Sequence, residues 1–201
     1  MRDAAPEGLV ATMARAYHRP RAVMARLLAS ATEGRALAWL FIACALAFVA
    51  SVPAALTRAR DLGIEDPVAG VIAAHLFAYL FVAPLVAYGF AALAHLLARA
   101  FGAAPGFLKA RVALFWALLL AAPLALLLAA LRVVAERLGA PGLVGPLGWA
   151  ALAFWLWLFA AGFAEAEKLG ATWQVGVATA LVFALVATAL SLLTRGAPVA
   201  G

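Results

Sequence analysis

Five stretches of this chain, 36–56, 68–98, 112–131, 143–164 and 175–194, contain no Asp, Glu, Lys or Arg. A helix needs about 20 residues to cross the roughly 30 Å hydrocarbon core of a bilayer, and each stretch is that long. A charged side chain at the centre of such a helix costs roughly 2.5–3.5 kcal/mol on insertion scales, so the absence of charge is what spanning helices require. The second stretch is long enough to imply a tilted helix or an entry through an interfacial turn. Composition agrees: 68% of residues are hydrophobic, 12% are charged and the mean hydropathy is +1.07, whereas soluble domains carry about twice that charge. The expected fold is an all-α membrane protein. It comprises an N-terminal segment 1–35, a five-helix transmembrane domain 36–194 and a short tail 195–201.

Basic residues orient such a bundle. The first 35 residues lack the apolar run of 7–15 residues that a cleaved signal peptide needs, so this segment is expected to remain. One side of the predicted membrane receives Arg2, Arg15, Arg19, Arg21, Arg26, Arg35, Arg99, Lys109, Arg111 and Lys168, and the other only Arg58, Arg60, Arg132, Arg137 and Arg195. The richer side is expected in the cytoplasm, which puts the C-terminus outside. Trp39, Trp116 and Trp173 then fall at cytoplasmic ends and Trp149 near the opposite interface, as belt residues would. Arginine- and alanine-heavy usage points to a bacterial inner membrane.

The formal charge of +6 and the pI near 10.4 would suggest a nucleic-acid partner. The basic residues lie in flanks and loops beside a bilayer, and no recognition motif accompanies them, so no nucleic-acid partner is expected. Cys44, the single cysteine, lies inside an apolar stretch and reads as a buried thiol.

The densest basic cluster is "HRPRAVMARLL" at 18–28. After Pro20, which can open a helix, Val23, Met24, Leu27 and Leu28 recur at helical spacing, with Arg19, Arg21 and Arg26 around them. Two readings stand. The segment is a topology flank, or it is a short amphipathic helix whose stripe is buried in the headgroup layer or against the cytoplasmic ends of the spans. In the second case its arginines would contact anionic lipid headgroups, each worth about 1 kcal/mol near an anionic leaflet, or a membrane-protein partner.

Four strings carry a family resemblance: "RPRAVMARLLAS", "EGRALAWLFIACALAFV", "LKARVALFWALLLAAPLALL" and "FWLWLFAAGFAEAEK". Over about residues 14–194 the chain resembles the bacterial branch of the Yip family, five-span membrane proteins with Rab-interacting relatives in eukaryotes. The resemblance implies a cytosolic Pro-plus-basic segment leading into five packed helices. It implies little about activity, because the eukaryotic relatives act in vesicle trafficking and this chain lacks their long Gly/Pro/Tyr-rich tail.

Residues for chemistry are sparse. His75 and His95 share one stretch and lie about 30 Å apart along a helix, so they cannot share a metal, and His18 lies in the N-terminal segment. Glu165 and Glu167 are two apart and point to different faces; beside Lys168 they read as a solvated boundary. Glu165 reaching Arg19, Arg26, Lys109 or Arg111 would tie the cytoplasmic face together. No enzymatic activity, metal or cofactor is expected. Transport of a small molecule is the competing reading, because Pro84 and Pro123 interrupt the second and third spans and broken helices can mark a substrate site. The mid-depth carboxylate or histidine that would bind a driving ion is missing.

Small residues at four-residue spacing, Ala43, Ala47 and Ser51 in the first span and Gly176, Ala180, Ala184 and Thr188 in the fifth, suit close helix approach. They would serve packing within the chain, or a homo-oligomer or partner face, or reflect only how frequent alanine is in this chain. Trp155 and Trp157, in the fourth span, read as packing or lipid-facing residues. The function expected is that of a membrane scaffold.

Overall fold

The computed structural model describes residues 8–100, 102, 106–140, 142, 144–169, 175–177 and 179. Its elements are α1 (Leu9–His18), α2 (Pro20–Ala29), α3 (Glu33–Asp61), α4 (Pro67–Phe77), a π-helical turn (Ala78–Val82), α5 (Ala83–Ala100), α6 (Phe107–Arg137) and α7 (Val144–Ala166). In lipid every backbone N–H and C=O must be satisfied within the segment, which favours unbroken helices.

Four of these helical runs are long and apolar enough to cross a membrane: α3, the continuous run Pro67–Ala100, α6 and α7. They match the first four predicted spans. The fifth stretch, 175–194, lies outside the described residues except for 175–177 and 179. Ala180, Ala184, Thr188 and Trp173 are among the residues not described.

Local chemistry sets the boundaries. The Thr32 side chain caps α3 by accepting from the Arg35 backbone N–H at 3.3 Å, and Glu33 occupies the first turn, where the helix dipole favours an anion. Pro20 and Pro67 stand at the first helical positions of α2 and α4, where the missing N–H costs nothing. The long second span therefore begins directly at Pro67, with no separate interfacial turn among its residues.

Pro84 would clash with the carbonyl of Leu80 and leaves it without a backbone donor. The chain widens there into the π-helical turn, with the Ala83 N–H reaching back to the Ala78 carbonyl. Pro123 lies inside a continuous α6. Pro53, inside α3, is a third intrahelical proline that the sequence reading passed over.

The helices alternate in direction. α3 and α6 begin, and α5 and α7 finish, at one end, here called proximal; the other end is distal. The core sits toward the proximal end: Ala36, Trp39 and Leu40 of α3, Val112 to Ala117 of α6, and Leu158 to Ala164 of α7 are buried. α4 buries no residue.

Candidate interaction face at the proximal end

The N-terminal segment is a helical hairpin laid on the bundle. α2 packs against α7, with Val23 and Met24 each only 1% exposed. Gly162 of α7 makes room: a Cβ added there would lie 3.1 Å from Met24 Cε. Leu27 and Leu28 are half-buried against the same core. The stripe that suggested headgroup burial is thus covered by the spans. Arg19 and Arg26 are exposed on the outer side of the hairpin.

Arg21 does something different. Its Nη2 lies 3.4 Å from Glu165 Oε2, while Lys168 Nζ donates to Glu165 Oε1 at 2.7 Å. Glu165 does tie the face together, through Arg21 rather than any of the four cations named for it from the sequence.

α1 was missed from the sequence. Met13, Ala16 and Tyr17, spaced three and four apart, form its core-facing stripe, and that spacing was the available signal. The Tyr17 hydroxyl donates to the Leu120 carbonyl at 2.7 Å, and its ring stacks on Phe154 at 6.0 Å. Leu120 neighbours Leu119, whose carbonyl loses its backbone donor to Pro123, so the hydroxyl reaches α6 where the proline perturbs its hydrogen-bond ladder.

A second polar group joins three spans. Arg111 Nη2 pairs with Glu33 Oε2 at 2.9 Å, the Tyr88 hydroxyl donates to Glu33 Oε1 at 3.0 Å, and the Arg111 guanidinium lies 5.5 Å from the Tyr88 ring centroid. This connects α3, α5 and α6.

The third group is the most buried. His95 Nδ1 and Glu167 Oε1 are hydrogen-bonded at 2.8 Å, and both residues are 1% exposed. The His95 ring also packs on Phe107 at 4.5 Å. Glu167 keeps the register of α7, its N–H bonding the Phe163 carbonyl at 2.9 Å, so its side chain falls on the buried face of Phe163 and Ala164 before the helix closes. Lys168 adopts a left-handed φ of 57°, and the Leu169 N–H returns to the Ala164 carbonyl at 2.9 Å, the pattern that closes helices ending on a left-handed residue. A side chain in that conformation costs roughly 1–2 kcal/mol, and Lys168 offsets part of it through Glu165. The solvated-boundary reading holds for Lys168, which is exposed, and fails for Glu167. Glu165 and Glu167 do face different partners, as their spacing requires.

Other sequence candidates scatter. His75 bonds its own helix at the Val71 carbonyl, 3.0 Å away, and lies far from His95. Trp39 and Trp116 are buried against each other, ring centroids 4.9 Å apart, so they pack the core and do not form a belt. Trp149 is 73% exposed at the distal end, Trp155 is buried and Trp157 is exposed. Cys44 is buried. Ala43 is buried in the core, and Ala43, Ala47 and Ser51 all border the cavities between α3 and α6. Gly176 approaches Ala160 of α7, with an added Cβ at 3.6 Å.

A bundle of apolar, membrane-length helices closed at one end by buried polar pairs defines a polytopic α-helical membrane protein. The Yip1 domain model matches residues 15–193. The chain belongs to the Yip1 domain family. No curated protein and no solved structure matches it.

Proposed function

We propose that this protein is a non-enzymatic membrane scaffold that holds a partner protein or anionic lipid through the outer side of its N-terminal hairpin. The observation that carries the reading is the division of labour within α2. Val23 and Met24 fix the helix on α7, and Arg19 and Arg26 stand exposed beside them. The hairpin needs no further partner to bury its stripe, so its cations are free of that task. The asymmetry of basic residues supports a cytoplasmic proximal end and, with the fifth span, an extracytoplasmic C-terminus in a bacterial inner membrane.

Affinity purification in gentle detergent, followed by lipid and protein mass spectrometry, tests this. An Arg19→Gln/Arg26→Gln double variant should insert normally and lose a stoichiometric partner or anionic lipid that the unaltered protein retains. Moderate salt should mimic the loss, because the Debye length is about 8 Å at physiological ionic strength. Identical retention by both proteins at either salt would sink the proposal.

Transport is the second reading, supported by an apolar groove that runs beside the π-helical turn ahead of Pro84. Solute flux in proteoliposomes that is lost on filling that groove would favour it.

A further inference from the structure

Two cavities lie along α3 and α6 beside the π-helical turn, one bounded also by α5 and Trp155 of α7, the other by Val144 and Gly148 of α7. One, about 340 Å³, is apolar and is walled by residues such as Ala43, Ala87 and Ala122. The other, about 370 Å³, opens toward the distal end beside Arg132 and Glu136. Ala47, Tyr79 and Ala125 belong to both walls, so the two are parts of one groove.

Its geometry follows the bilayer. Arg132 comes directly after the uncharged stretch 112–131, which places the polar mouth where hydrocarbon gives way to headgroups. From Arg132 back to Ala122 is about 15 Å of helix, one leaflet's share of the roughly 30 Å core. A lipid chain entering at the mouth would end beside Ala122.

Charge selects the headgroup. Arg132 Nε donates to Glu136 Oε1 at 3.0 Å, one turn apart on α6, and the two side chains stay 56% and 40% exposed. The guanidinium keeps further N–H donors for a phosphate, and the carboxylate keeps lone pairs for an ammonium that can donate. The pair is neutral as a unit, so it complements a zwitterion better than an anion. A quaternary ammonium has no N–H to give to Glu136.

We infer that the groove is a phospholipid site that takes one acyl chain against Ala47, Ala125 and Ala122 and holds a phosphoethanolamine headgroup across Arg132 and Glu136. The site is separate from the proximal hairpin, and its test does not depend on what the hairpin binds.

Native mass spectrometry of the full-length, delipidated protein in detergent provides the test, with phosphatidylethanolamine, phosphatidylcholine and phosphatidylglycerol of matched chains added in turn. One phosphatidylethanolamine should be retained, roughly fivefold more tightly than either other lipid, the size expected of one exposed charged contact. Ala47→Leu and, separately, Ala125→Leu should remove the adduct by filling the groove. Arg132→Gln/Glu136→Gln, a change outside the packed core, should keep the fold and level the three affinities. Equal retention of the three lipids by the unaltered protein would overturn the inference. So would an adduct that survives both filling variants, or a preference unmoved by the charge variant.

Discussion

The proximal and distal halves of the bundle are made of the same alanine- and leucine-rich helices, yet they are held in different ways. In α7 every buried residue lies from Trp155 onward, and none lies in its first half. In α6 burial runs from Ala110 to Ala122 and afterwards returns only at Ala135. The proximal half interlocks large rings, Trp39 on Trp116 and Phe90 on Phe159, beneath three polar groups that each bridge separate helices. The distal half has the polar mouth of the groove, Pro53, and an ion pair confined to one helix.

Lipid tails are as apolar as leucine, so helices in a bilayer gain nothing from hydrophobic burial against each other. Close packing and interhelical polar contacts are what remain, and the proximal half has both. The difference teaches where the fold is fixed: at the end that carries the docked hairpin.

The largest effect should come from breaking the most buried polar pair. Replacing His95 by Ala leaves the Glu167 carboxylate buried without its partner, which typically costs about 3–5 kcal/mol. Thermal unfolding in detergent should show a large fall in Tm. The distal counterpart, Arg132→Ala, should change stability by no more than about 0.5 kcal/mol, as expected of an exposed i,i+4 pair. Equal falls for the two variants would erase the distinction between the halves.

Overpacking should come next. Gly162→Leu drives a side chain into the space of Met24 and should cost roughly 1–3 kcal/mol. It should also expose α2 to limited proteolysis. In the distal half of the same helix, an added Cβ at Gly145 meets nothing within 4 Å, so Gly145→Leu should leave both stability and cleavage unchanged.

The smallest of these effects concerns α1. Tyr17→Phe removes only the hydroxyl that reaches the Leu120 carbonyl, a loss of about 1 kcal/mol. Amide hydrogen exchange over Leu9–His18 should speed up while exchange over Pro20–Ala29 stays put. Unchanged exchange in α1 would show that the ring stack on Phe154 holds it without the hydroxyl.

Much of this was legible in the sequence, for physical reasons. Charge exclusion over 20 residues locates a span whatever its neighbours are, so α3, α6, α7 and the Pro67–Ala100 run were readable. Pro20 and the Val23, Met24, Leu27, Leu28 spacing located α2, but spacing alone could not say whether lipid or protein covers the stripe. That depended on Gly162, a single glycine 138 residues after Met24. The His95–Glu167 pair was half readable: the alternation of spans puts both residues at one end. The missing half was that the hydrogen bonding of α7 carries through Glu167, which keeps it on the buried face of Phe163 and Ala164, because its charged neighbours gave no sign that the helical register continued there. Trp39 and Trp116 misled because an aromatic near a span end suits an interface and a core equally well.

The central claim is that α2 is seated on α7 and closes the proximal end. Cross-linking in native membranes tests it most directly, using Met24→Cys with Gly162→Cys in a Cys44→Ala background and a short bifunctional thiol reagent. The structure predicts rapid, near-complete intramolecular cross-linking of this pair, and none when Gly145→Cys replaces Gly162→Cys. A Met24–Gly162 pair that links no faster than the Met24–Gly145 control would contradict the account.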